Sequence, residues 1–295
     1  MTVARSAPRV VAAVGATLGE GPVWVARERA LWFVDIKQRR LHRCDPADGA
    51  LRSWDAPAQV GFVVPAADGG FVAGLQGGLH RFDPEAGTFE MLCPVEPGTP
   101  TNRINDGVVD GAGRLWFGTM DDREAGGSGR FYRLEADGTL YDAGGAAPIT
   151  NGPALSPDGR TLYQVDTLAR TIDACTLDAD GRVTARRRFA AIEKGAGNPD
   201  GPAVDAEGCV WVALYGGWAA RRYSPAGELI ETVRFPVSNI TKMAFGGADL
   251  RTAYATTARH LLSDEAAAAQ PDAGHLFAFD VAVPGLPAHE LRVGL

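Results

Sequence analysis

Three features of the 295-residue sequence predict an all-β protein of six small sheets set in a ring, a six-bladed β-propeller. A unit of roughly forty to fifty residues recurs six times, each copy carrying a strand-like run rich in Trp, Val, Phe or Tyr. Asp-Gly pairs stand between apolar runs, a strong hairpin signal. Long amphipathic helices are missing, and residues 264–270 form the one expected helical turn. Radial repetition of short sheets leaves few exposed edges, and this repeat length is typical of propeller blades. A β-sandwich would not produce six units in register.

The second strand of each unit is the clearest: residues 31–35, 71–75, 115–119, 162–166, 210–214 and 253–257. Third strands follow at 41–44, 79–82, 130–134, 171–175, 221–223 and 275–279. Hairpin turns fall at Asp48-Gly49, Asp68-Gly69, Asp137-Gly138, Asp158-Gly159 and Asp180-Gly181. The last unit runs short of an outer strand, while residues 9–17 precede the first unit. The N-terminal strand is therefore expected to complete the last blade and close the ring, in one domain spanning 1–295.

Composition narrows the partners. Hydrophobic residues make up 45 % and charged residues 22 %, ordinary for a globular protein. The net charge is −7 and no basic stripe is interleaved with aromatics, so nucleic acid is not an expected partner. Arg186, Arg187 and Arg188, the densest basic run, read as an exposed strand edge. Cys44, Cys93, Cys175 and Cys209 are far apart without a C-x-x-C pair, which suits reduced thiols and a cytoplasmic protein. The apolar stretch 10–14 is shorter than a signal segment, and no run approaches a membrane span. Nothing demands more than a monomer. His42, His80, His260, His275 and His289 lack metal-binding spacing and are expected mostly at the surface or strand edges.

Aligning the units on their second strands exposes a chemical pattern. Ten or eleven residues upstream lie Glu20, Asn105, Asn151 and Asp200, each followed by Gly directly or after one residue. The same slot falls near Gly61 in the second unit and near Thr241 in the sixth. The start of each innermost strand faces the central channel, so four blades aim an oxygen-bearing side chain at one point. Taken singly, each residue would read as a turn former; turn formers have no reason to share one axis. Two carboxylates and two amides suit a hard divalent cation. Asp178-Ala179-Asp180-Gly181 resembles the start of a calcium loop but lacks the closing glutamate, so a hairpin turn is expected.

The segments 18–24 (LGEGPVW), 102–107 (NRINDG), 116–120 (WFGTM), 150–153 (TNGP), 198–201 (NPDG) and 245–247 (FGG) resemble the senescence marker protein/gluconolactonase/regucalcin family. The match runs in order along nearly the whole chain, and 31–37, 256–259 and 262–265 are most similar to bacterial aldonolactonases of the xylonolactonase type. The resemblance implies a propeller with one divalent metal on its axis, whether Ca, Mn, Mg, Zn or Fe(II). Glu20, Asn151 and Asp200 would hold it, and Asp200 would also serve as base. Arg103 and Asn105 would hold substrate or a metal-bound water. The implied substrate is a small sugar lactone such as xylonolactone, arabinonolactone or gluconolactone. Where some members place a substrate-binding glutamate this chain has Arg123, so Asp121, Asp122, Arg123 and Glu124 all stay open as substrate contacts. Two other readings stand beside this one. A non-enzymatic binding propeller would carry aromatic or arginine anchors on one face and no polar axial cluster. A metal-dependent esterase or phosphotriesterase would keep the metal and change the substrate.

Overall fold

The computed structural model describes residues 3–124 and 126–293. It contains six four-stranded antiparallel sheets around a central channel, with one short helix, α1 (Asp264–Ala269), and a 3-10 turn at Ala26–Glu28. In the sixth blade β1 (Arg9–Ala12) is the outer strand. Blade 1 holds β2 (Gly19–Val25), β3 (Ala30–Asp35), β4 (Arg40–Asp45) and β5 (Ala50–Asp55). Blade 2 holds β6 (Val60–Pro65), β7 (Phe71–Leu75), β8 (Gly78–Asp83) and β9 (Thr88–Pro94). Blade 3 holds β10 (Asn102–Val109), β11 (Leu115–Asp121), β12 (Gly129–Leu134) and β13 (Leu140–Ala147). Blade 4 holds β14 (Thr150–Leu155), β15 (Thr161–Asp166), β16 (Thr171–Leu177) and β17 (Val183–Ala191). Blade 5 holds β18 (Asn198–Val204), β19 (Val210–Tyr215), β20 (Ala219–Tyr223) and β21 (Leu229–Arg234). Blade 6 holds β22 (Ile240–Gly246), β23 (Thr252–Thr257) and β24 (Leu276–Asp280), and β1 pairs with β24 to close the ring as the sequence predicts.

The second strands owe their burial to side chains packed between blades. Trp32, Trp116 and Trp211 are each about 1 % exposed. A carboxylate from the preceding turn accepts each indole N–H: Glu28 at 3.1 Å, Asp110 at 2.8 Å and Asp205 at 3.0 Å. Burial of the ring and satisfaction of its polar atom are thus achieved together. Trp32 also lies 4.2 Å, centroid to centroid, from Phe71 of the next blade. The Asp-Gly hairpins appear as expected, with Gly49, Gly138 and Gly181 at φ of 74°, 82° and 73°. Arg186 and Arg188 lie on the outer strand β17, paired with Asp173. All four cysteines are free thiols. Among the described residues no helix is long and apolar enough to cross a membrane.

Two histidines depart from the surface expectation. His42 is 6 % exposed, stacks on Phe33 at 4.9 Å and has its Nδ1 2.8 Å from Ser53 Oγ. Burial pushes its pKa down to about 4. His80 is also buried.

The repeat pattern does not foretell the course of the chain after β24. It crosses the face opposite the strand starts as a strap. Gly285 N–H donates to Leu250 O in blade 6, and Pro284 O accepts from Ala206 N–H in blade 5. Leu286 packs on the core shared by blades 4 and 5. Leu291 exchanges backbone hydrogen bonds with Pro65 and Ala67 in blade 2, and Arg292 N–H donates to Gly113 O in blade 3. Glu290 pairs with Arg27 of blade 1. All six blades are tied by one segment, and Leu291 is buried to 1 % exposure. Truncation after Val281 is expected to cost at least ~3 kcal/mol, from lost apolar burial and orphaned backbone groups. That corresponds to a fall in Tm of ~6 °C or more, read by calorimetry.

Candidate active site

Every innermost strand changes register at its candidate slot. The irregularities lie between Glu20 and Val23, Val60 and Phe62, Ile104 and Asp106, Asn151 and Ala154, Pro199 and Pro202, and Ile240 and Lys242. A bulge re-aims the side chain it carries and bends the strand, so six bulges at one level turn their residues toward the axis. Glycine makes the crowding feasible. A Cβ on Gly61 would stand 2.4 Å from Asn105 O, and Gly152 has a φ of 74°.

Glu20, Arg103, Asn105, Asn151 and Asp200, all expected at the site, line one cavity of about 130 Å³. All five are buried, between 3 % and 6 % exposed. A chain of hydrogen bonds fixes their orientation. Thr167 Oγ1 accepts from Asn151 Nδ2 at 2.9 Å, which turns Asn151 Oδ1 toward Asn105. Asn105 Nδ2 donates to that oxygen at 3.1 Å and to Thr150 O at 2.7 Å. Arg103 Nη1 donates to Asn105 Oδ1 at 2.5 Å. Asn105 therefore presents its amide nitrogen to Asn151, while Asn151 presents its carbonyl oxygen inward.

The segment 121–124 resolves into separate jobs. Asp122 accepts from Arg103 Nε at 2.7 Å, Lys37 Nζ at 2.7 Å and Gln59 Nε2 at 2.8 Å. These donors together outweigh its partial burial and hold its carboxyl below the usual carboxylate range. Arg123 points outward and pairs with Asp121, whereas Glu124 lines the cavity. Asp122→Asn is expected to raise KM for substrate ~10–100-fold, the usual cost of losing a partner that orients a functional side chain. Bound-metal content should stay unchanged, and steady-state kinetics with metal analysis checks both.

The two acidic slots have an unusual electrostatic setting. Burial and the nearby Asp106 carboxylate push Glu20 up to about 8, although Gly21 N–H donates to it at 2.9 Å. Burial, then Glu20 and Asp106, raise Asp200 well above the ordinary range. Lys242 does not pair with either; its ammonium is bonded to Asp106. Asp106 also accepts from Gly107 N–H at 2.7 Å and Gly152 N–H at 2.9 Å. Full ionisation of the three carboxyls beside one ammonium would leave two negative charges on the axis, and burial favours the protonated forms of Glu20 and Asp200 until a cation balances them. Among the described residues no three Asp, Glu, His or Cys side chains form a metal cluster by themselves. An axial cation would therefore need Asn151 oxygen beside Glu20 and Asp200, an all-oxygen set of the kind hard cations prefer.

Sequence reasoning missed Lys242, Asp106, Tyr215 and His260. Lys242 follows the sixth slot by one residue, and Asp106 follows the third by one, so an alignment widened by one position would have found both. Tyr215 and the half-buried His260 line the cavity, with the Tyr215 hydroxyl donating to His260 O. Burial, helped by Lys37, lowers the His260 pKa. Below the Asp106–Lys242 pair lies a second, more apolar cavity of about 470 Å³ near Phe62, Met243 and Phe245, crossed by residues 286–289 of the strap.

A propeller with a buried oxygen cluster at the mouth of its channel defines a class of small-molecule sites. The chain matches the model of the SMP-30/Gluconolactonase/LRE-like region over residues 18–259. It belongs to that family. It is 37 % identical to a 6-deoxy-6-sulfogluconolactonase of Pseudomonas putida, covering 91 % of this chain and 92 % of the relative. With an L-arabinolactonase of Azospirillum brasilense it shares 39 % identity, over 88 % of this chain and 87 % of that one. The crystal structure of a calcium-binding regucalcin from Agrobacterium tumefaciens superposes with a TM-score of 0.94 at 31 % identity, covering 99 % of this chain and 100 % of that one.

Proposed function

We propose that the chain is a lactonase that opens a small sugar lactone to its aldonic acid, with one divalent cation held by Glu20, Asn151 and Asp200. The observation that carries this reading is the pair of buried carboxylates, Glu20 and Asp200, that face one cavity without a basic partner. Two uncompensated buried negative charges are costly, and a divalent cation would balance them. The relatives named for lactones support the substrate class.

Bound there, a divalent cation would supply Lewis acidity toward the lactone carbonyl oxygen. The residues supply positioning and proton transfer. Arg103, clamped by Asp122, offers guanidinium N–H groups to substrate oxygens from a nearly fully buried position. Asn105 is held by Arg103 and Asn151, so its orientation is set before substrate arrives. Asp200 accepts the proton of the attacking water. Water oxygen bonds to the carbonyl carbon, the ring C–O bond breaks, and the ring oxygen takes up the proton held by Asp200 and leaves as a hydroxyl. Leu18, Met120 and Ile149 line the cavity and offer apolar surface to the C–H faces of the sugar.

Removing metal with a chelator and restoring single divalent ions, assayed on pentono- and hexonolactones, tests the reading. Hydrolysis is expected to fall at least ~100-fold on chelation and to return on add-back. Undiminished turnover in chelator would refute the metal's role.

A further inference from the structure

The charges at the mouth point to the kind of lactone admitted. Arg103 and the half-buried His260 are the basic side chains among the described residues lining the cavity. Arg103 has its charge paired with Asp122, which leaves it donors for neutral substrate oxygens but no unpaired positive charge. Burial drives His260 toward its neutral form. Lys37, just outside the lining, spends its charge on the same Asp122. Deeper in, Lys242 is bonded to Asp106, and the divalent cation proposed above would be balanced by Glu20 and Asp200. Against these, Glu124 contributes an exposed carboxylate to the wall. Its field reaches both neighbouring elements, acting on Tyr215 and on His260. The remaining wall is uncharged, with apolar Leu18, Met120 and Ile149 beside the neutral polar Thr167, Asn198 and Tyr215. Such a wall suits the C–H faces and hydroxyls of a sugar ring and would desolvate an anionic substituent without an unpaired cationic side chain to balance it.

We propose that this cavity takes uncharged sugar lactones and turns away lactones bearing a sulfonate, phosphate or second carboxylate, and that Glu124 sets this selectivity. The inference rests on the lactone reading above and names the substrate class within it. Family membership does not decide the point, because the Pseudomonas putida relative is itself named for a sulfonated lactone. What decides it is local. An anion in so small a space sits within a few ångströms of the Glu124 carboxylate, and at the effective dielectric of a partly buried site that repulsion is worth on the order of tenfold or more in affinity.

The test compares kcat/KM for D-glucono-1,5-lactone and its 6-deoxy-6-sulfo analogue in the metal-loaded protein, in wild type, Glu124→Gln and Glu124→Lys. Wild type is expected to favour the neutral lactone by at least ~10-fold. The preference should shrink about tenfold in E124Q and further in E124K. Equal or better turnover of the sulfonated lactone by wild type overturns the proposal. An unchanged preference in both variants overturns the assignment to Glu124. Calorimetric binding of 1,5-anhydro-D-glucitol and its 6-sulfate gives a readout independent of turnover. If neither lactone is hydrolysed, the lactonase reading fails. The polyol pair then still decides selectivity: tighter binding of the neutral polyol, narrowed by E124Q, supports it. Equal or tighter binding of the sulfate, or binding of neither, overturns it.

Discussion

Asp200→Asn is expected to reduce kcat/KM by ~1000-fold or more and, in the metal-free protein, to raise the melting temperature. Both effects have one cause. Asp200 is 6 % exposed, faces Glu20 and Asp106, and among the described residues makes no salt bridge, Lys242 acting on it only at a distance. In the loaded enzyme its carboxylate would hold the cation and take the proton of the attacking water, so an amide of the same shape removes both contributions. Without the cation, the same carboxyl must carry a buried charge or hold a proton that the unfolded chain releases, and the neutral amide avoids that cost of ~1–3 kcal/mol. Opposed changes in activity and stability are characteristic of residues retained for function against the interest of the fold. Metal analysis, kinetics and calorimetry on a single variant check all of this. Turnover within tenfold of wild type, with metal content preserved, would remove Asp200 from the chemistry.

Stripped of metal, the protein is expected to lose stability as pH rises from about 5 toward 8, while the loaded protein holds steady. Glu20 is raised from 4.5 to about 8 in the folded state. Across that window the folded chain keeps a proton that the unfolded chain has released. Stability then decreases with rising pH and levels off above the folded value. Asp200, shifted in the same direction, adds to the slope. A bound cation replaces those protons, and its own affinity grows as they leave. The gap in Tm between loaded and chelated samples should therefore widen between pH 5.5 and 8.5, by at least ~2 kcal/mol or ~5 °C. A gap that stays constant would mean that neither carboxylate changes its protonation on metal release.

The sequence exposed the ring because its signals are local. Asp-Gly turns and the runs containing Trp32, Trp116 and Trp211 repeat with one spacing, and each blade needs the same solution. The cluster of Glu20, Asn105, Asn151 and Asp200 was legible for the same reason: equivalent slots in a closed ring converge. What escaped has no repeat. Lys242 stands in an ordinary-looking strand, Ile240–Gly246, and only the closure of the ring brings its ammonium to Asp106, 136 residues away. His260 reaches the cavity from an irregular connection between β23 and α1, where no period predicts direction. The strap carries Pro284 and Pro287, shows no alternation, and takes its course from partners scattered over six blades.

The Asp106–Lys242 pair has a consequence for traffic. Both side chains are nearly fully enclosed, at 1 % and 9 % exposure, and the cavities on either side share no lining residue. A lactone arriving from the mouth meets a dead end rather than a tunnel. The acid it becomes must back out through the doorway by which it entered, past Glu124, before another molecule can follow. On the selectivity proposed for Glu124, the same carboxylate would weaken the hold on the product anion and so limit product inhibition.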